Sequence, residues 1–148
     1  TSRSMLAAVM RDTAVRLDGV RIVLASLDVH DLIRDLLVKV LMSLGAEVVL
    51  LPGDSYPAAV IAAAEAESAD AVIVSTYNGA ALRQARAITE AVRAGDYDGQ
   101  IFMGGVLNEE TGGEVPVDVS EQIRALGIHT VDDLVGLPSL IRQVSWSQ

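Results

Sequence analysis

The chain of 148 residues contains no cysteine. Disulfides, thiolate zinc sites, iron–sulfur clusters and cysteine nucleophiles are excluded together, and His30 and His129 are left as the strong nitrogen ligands. Basic residues are also scarce, 11 against 20 acidic ones, for a net charge of −9. A protein that neutralises phosphates needs a basic face, so nucleic acid is not an expected partner. The acidic excess is spread over both halves of the chain, with no charged tail. No apolar run reaches the roughly 18 residues of a membrane span, and the opening Thr1-Ser2-Arg3-Ser4 lacks the organisation of a signal peptide. The chain therefore reads as cytoplasmic, and its start without methionine reads as that of a processed or excised piece.

What is present is a globular composition, 51% hydrophobic and 21% charged, arranged as short apolar runs alternating with helical spacings. Strands are expected at Val20–Ser26, Glu47–Leu51, Ala71–Ser75, Ile101–Met103 and Ile128–Val131. Runs such as Ala71-Val72-Ile73-Val74 are apolar on both faces, as strands buried on both sides of a parallel sheet must be. Helices are expected near Ser4–Arg16 and over Leu32–Leu44, Pro57–Glu67, Ala81–Ala94, Val119–Leu126 and Asp132–Val144. The last is opened by Thr130 and kinked or restarted at Pro138. Five strands alternating with helices predict a single-domain α/β fold, a flavodoxin-like (Rossmann-like), doubly wound parallel sheet of order 2-1-3-4-5. Ligands of such sheets bind at the carboxyl ends of the strands, where the order reverses. The loops to inspect are thus Leu27–Asp31, Thr76–Gly79 and Gly104–Glu114.

Those loops lack the acidic residue of a phosphoacceptor, the phosphate loop of a flavodoxin, a G-x-G-x-x-G turn and a P-loop. They hold instead Asp28-Val29-His30-Asp31, then Ser75-Thr76-Tyr77-Asn78-Gly79, then Gly104-Gly105. An aspartate two residues before a histidine can orient the imidazole for a metal or for proton transfer, but an aspartate at this place can equally cap the following helix. Asn78-Gly79 is ordinary turn chemistry, and paired glycines serve either a positive φ or the close approach of a ligand.

Taken in order, the three segments resemble the D-x-H-x-x-G, S-x-L and GG motifs of the cobalamin-binding domain of adenosylcobalamin-dependent mutases and methionine synthase. The resemblance spans about residues 19–144 and implies a cobalamin held with its own base off cobalt. His30 would be the lower axial ligand and Asp28 the carboxylate behind it. Ser75 would hydrogen-bond the displaced base, and Gly104 and Gly105 would lie along the nucleotide tail. Asp31, Ile33, Tyr77 and Gly79 complete the implied cofactor-binding set. Two positions depart from the motifs: Ile33 replaces the loop glycine and Tyr77 the leucine. The small-residue turn after the fifth strand is replaced by Asp132-Asp133.

Within that family, methyl carriers and light sensors have a helical bundle ahead of this domain, and about 18 residues precede the first strand here. A complete mutase needs a (β/α)-barrel of typically ~250 residues. The run Val74–Gly79 and the stretch after Gly104 are most similar to the small cobalamin-binding subunit of glutamate (methylaspartate) mutase. That resemblance implies adenosylcobalamin as cofactor, a separate barrel subunit as partner, a heteromeric isomerase not catalytic through this chain alone, and a homodimer as a further arrangement. A non-catalytic corrinoid-binding or regulatory module is the alternative. Residues 1–18 are expected as a helical segment and 19–148 as the cobalamin-binding domain. The acidic stretch Leu107–Glu121 is expected as a solvated flexible loop, with a docking surface for the barrel subunit as the alternative, His129 as structural, and Trp146 as a packed anchor or an interface residue.

Overall fold

A computed structural model describes residues 15–27, 32–113, 115–132 and 134–145, with the side chains of Leu32, Ile33, Leu134 and Ser145 outside that description. The elements are β1 (Arg21–Ser26), α1 (Leu32–Ser43), β2 (Glu47–Leu50), α2 (Pro57–Ala66), β3 (Ala71–Thr76), α3 (Ala81–Ala94) and β4 (Gln100–Gly105). After them come β5 (Asn108–Glu109), β6 (Val117–Asp118), α4 (Ser120–Ala125), β7 (His129–Val131) and α5 (Leu137–Ser145). Of the helix expected over Ser4–Arg16, only Val15 and Arg16 fall among the described residues, and neither is helical.

The main sheet is parallel throughout, in the order β2-β1-β3-β4-β7. This is the expected 2-1-3-4-5 order, with β7 in fifth place because a small ribbon is inserted after β4. Alternation along each strand explains the apolar runs. Val23, Ala25, Val72, Val74 and Met103 pack with Val60, Ile61, Ala85, Ile88 and Ile123 from α2, α3 and α4. Ile22, Leu24, Ile73, Phe102 and Val131 pack on the other face with Leu37, Val40, Leu41, Leu137 and Ile141 from α1 and α5. The central strands β1, β3 and β4 thus have packed helices on both faces, and each large aliphatic chain fully buried contributes about 1.5–3 kcal/mol. His129 belongs to this framework: its Nε2 lies 2.9 Å from the Gln100 side-chain oxygen, and its ring stands 5.0 Å from that of Phe102.

The chain turns out of α1 through Gly45 at φ +101, where the amide donates to the Met42 carbonyl and the next amide, of Ala46, to Leu41. This is the left-handed helix stop that glycine makes cheap. α2 begins at Pro57 as expected, a position whose missing N–H costs nothing.

Two expectations are corrected. Leu107–Glu121 is no unstructured loop: β5 and β6 form an antiparallel ribbon, with Asn108 opposite Asp118 and Glu109 opposite Val117. Its two ends are anchored by buried Leu107 and Val119, whose backbones also bond, so the acidic composition was outweighed by a pair of apolar pins. The final helix, expected from Asp132, starts at Leu137 after a 3₁₀ turn at Leu134–Gly136, and Thr130 lies inside β7 instead of capping it. Pro138, second in the helix, is tolerated in a first turn but not deeper, which sets the restart there.

Candidate functional site

β1 leads into α1 on one face of the sheet, and β3 leads into α3 on the other. In doubly wound sheets a ligand crevice lies outside the carboxyl ends of the central strands, where successive connections leave to opposite faces. Register fills in its floor. Ser26 of β1 is opposite Ser75 of β3, Ser75 is opposite Gly104 of β4, and Gly104 is opposite Val131 of β7. By alternation from Leu24, Ile73 and Phe102, these residues face the α1 and α5 side. Where the core rows below are filled by Leu, Ile and Phe, this last row is Ser-Ser-Gly.

The hydroxyl of Ser75 is buried and has no hydrogen-bond partner among the described residues. An unsatisfied buried hydroxyl costs about 1–3 kcal/mol, so its retention calls for a reason outside the chain's own packing. Its neighbour Thr76, fully buried on the opposite face, has its Oγ1 3.3 Å from the Asn78 side-chain oxygen.

The two glycines of β4, ambiguous in the sequence, separate here. Gly105 sits at φ +104, and a Cβ there would come 2.3 Å from the Thr76 carbonyl oxygen. Its lack of a side chain is demanded by the protein itself. Among the described residues a Cβ on Gly104 would meet nothing closer than Val131 at 3.4 Å, an ordinary contact. Their packing therefore does not require glycine at 104, which stands opposite Ser75 in the sheet.

Asp28, His30 and Asp31 lie outside the described residues, and Ile33 is placed as the second residue of α1 with its side chain undescribed. Tyr77, half-buried, and Gly79, at φ +78, lie in the loop from β3 to α3. Asp133 and Trp146 also lie outside the described residues. Three residues near the crevice carried no weight in the sequence. Ser26 was legible as the position two before Asp28, on the same face as Leu24. Arg34 was placed off the apolar face of its helix, but it is only 9% exposed and donates from Nη1 to the Leu51 carbonyl at 3.0 Å, tying the start of α1 to the end of β2. Glu109, in the acidic stretch, is 13% exposed in its side chain and ion-pairs with Arg83.

Apolar surface also collects at this end. Tyr56 after β2 and Val106, Val115 and Val117 around the ribbon are 46–76% exposed. A cavity of about 500 Å³ lies at the opposite end, between Ala64–Asp70 and Asp96–Gln100. Two of its carboxylates hold the chain together: Glu65 accepts from the amides of Asp96 and Tyr97, and Asp70 from that of Arg21. Among the described residues no three acidic or histidine side chains converge as metal ligands.

A doubly wound sheet with a small-residue crevice at its switch point defines a cofactor-binding class of protein. The B12 binding domain family matches residues 19–130, and the chain belongs to that family. Cobalamin is accordingly the ligand that membership implies. A comparison with curated proteins finds no match. Among solved structures, the chain is similar to a cobalamin-binding protein from Desulfitobacterium hafniense DCB-2, with a TM-score of 0.67 and 20% identity over 84% of this chain and 58% of that one. It is similar also to the methanol:cobalamin methyltransferase complex MtaBC from Methanosarcina barkeri, with a TM-score of 0.68 and 18% identity over 94% and 51%. The chain spans just over half the length of these structures, and at such identities the likeness is one of fold.

The described residues fit a cobalamin. The cofactor carries nitrogen and oxygen acceptors for a hydroxyl such as that of Ser75, a side chain is missing at Gly104, and the exposed apolar side chains suit a broad, largely apolar macrocycle.

Proposed function

We propose that residues 19–148 form the cobalamin-carrying domain or subunit of an adenosylcobalamin-dependent carbon-skeleton mutase of the glutamate (methylaspartate) mutase type. The observation that carries the binding mode is the buried Ser75 hydroxyl, without a partner beside a glycine the fold does not need. In this reading Ser75 donates to the displaced base, while Gly104, Gly79 and Tyr77 border the path of the tail. His30 supplies an imidazole nitrogen as the lower ligand of cobalt, and Asp28, accepting from the other ring nitrogen, sets its tautomer and donor strength. Asp31 and Ile33 complete the motif segment that follows His30 in the chain. When bound, adenosylcobalamin supplies a weak cobalt–carbon bond and thereby a radical. The substrate site and the exclusion of water belong to a (β/α)-barrel partner that closes over the exposed apolar rim. The mutase subclass rests on the similarity of Val74–Gly79, and the chain would work in the cytoplasm.

Ile33 and Tyr77, where the motif has glycine and leucine, favour one competing reading: a corrinoid-binding or regulatory module without a catalytic partner. Titration of the purified chain and of H30A with adenosylcobalamin and hydroxocobalamin, followed by visible absorption, tests the proposal. The expected result is a base-off, histidine-ligated spectrum that H30A loses. A wild-type chain that leaves the spectrum of either cobalamin unchanged, alone and with a barrel subunit added, overturns it.

A further inference from the structure

The helix α3 follows directly on the loop that bears Tyr77 and Gly79, and it begins without a cap of its own. Its N-cap residue is Ala80, which has no side chain able to accept from the first amides. The acceptor comes from elsewhere in the chain. Glu109 Oε2 accepts the Leu82 amide at 3.0 Å, and its other oxygen accepts from Arg83 Nε. The same ribbon strand is joined to the loop through its backbone: Glu109 bridges Ala80, the Glu110 amide donates to the Gly79 carbonyl at 2.9 Å, and the Val106 amide donates to that of Thr76. A Cβ on Gly79 would lie 2.8 Å from the Glu110 side chain, so the loop is closed in on that side. The carboxylate is 13% exposed, while its partner Arg83 is 67% exposed, so the specific bond is the one to the backbone and the arginine supplies charge balance.

We infer that Glu109 is a positioning residue: the acidic ribbon holds the β3–α3 loop, and with it Tyr77, in the conformation that receives cobalamin. Resting on the binding mode proposed above, this makes the ribbon part of the cofactor site without touching the cofactor through Glu109. The Ser75 hydroxyl is set by the sheet, since the Ser75 carbonyl accepts from Leu27 and the residue pairs on both sides. Tyr77, one residue past the end of β3, lies between Thr76, whose carbonyl accepts from Val106, and Gly79, whose carbonyl accepts from Glu110, so the ribbon holds the loop on both sides of it.

The test has two arms. Hydrogen exchange in the cobalamin-free chain should show faster exchange at Gly79–Leu82 in E109A, with the central strands unaffected, and near-normal exchange in E109Q, whose amide oxygen still accepts from Leu82. Spectroscopic titration should show about ten-fold weaker cobalamin binding in E109A with an unchanged end-point spectrum, and partial rescue in E109Q. The double variant Y77A/E109A should bind no more weakly than the poorer single variant, because both act through one loop. Unchanged exchange at Gly79–Leu82 in E109A overturns the inference, whether or not cobalamin binds. Additive losses in the double variant overturn the coupling to Tyr77. A wild-type chain that fails to bind cobalamin, with loop exchange still responding to E109A, sinks the cofactor role and leaves only a helix cap.

Discussion

On the proposed binding mode, stability and binding pull in different directions at Ser75. Its hydroxyl makes no hydrogen bond among the described residues, so S75A deletes none of their bonds and removes the cost of a buried, unsatisfied group. The melting temperature should stay level or rise, while cobalamin affinity falls several-fold. Thermal denaturation and titration of the same preparation check both halves, and a large loss of stability would mean that the hydroxyl has an internal role. The position was readable in the sequence as a serine at the end of an apolar run. Its orphaned state was not, because satisfaction depends on what the sheet, α1 and the neighbouring strand leave within reach. His30 is the converse: position in the motif carries its assignment, and its side chain lies outside the described residues.

At the scale of elements, β4 ends in two glycines with different physical jobs. G105A forces a Cβ into the Thr76 carbonyl at a positive φ and should cost about 1–3 kcal/mol of stability, seen as a lowered denaturant midpoint. G104A meets only Val131 at contact distance and should leave the midpoint within about 0.5 kcal/mol of wild type. Its effect should fall on cobalamin affinity instead. Equal losses of stability in the two variants would contradict this division. The strand and helix positions were legible because both-sided burial leaves continuous apolar runs and because α1 and α3 carry their own helical spacing. The ribbon was not, since its strands have two residues each and its acids read as solvent-facing. What orders it is contact with Gly79, Ala80 and Leu82, 27–31 residues earlier in the chain.

For the whole molecule, binding and folding are linked. A ligand that binds only the folded chain stabilises it by about 2.7 kcal/mol at a hundred-fold excess over its dissociation constant. For a domain of this size that should raise the melting temperature by roughly 5–10 °C. A thermal scan with and without hydroxocobalamin checks this, and H30A should lose much of the shift. The amino-acid order alone was enough for the parallel α/β architecture, its strand order and the loops at the switch point, because hydrophobic periodicity and the handedness of crossovers act locally and leave few topologies. Its motifs were enough for the cobalamin-binding family. The different needs of Gly104 and Gly105, the burial of Arg34, the bare hydroxyl of Ser75 and the reach of Glu109 to the start of α3 arise from distances between segments far apart in the chain. Such distances exist only once the sheet has closed and its helices have packed.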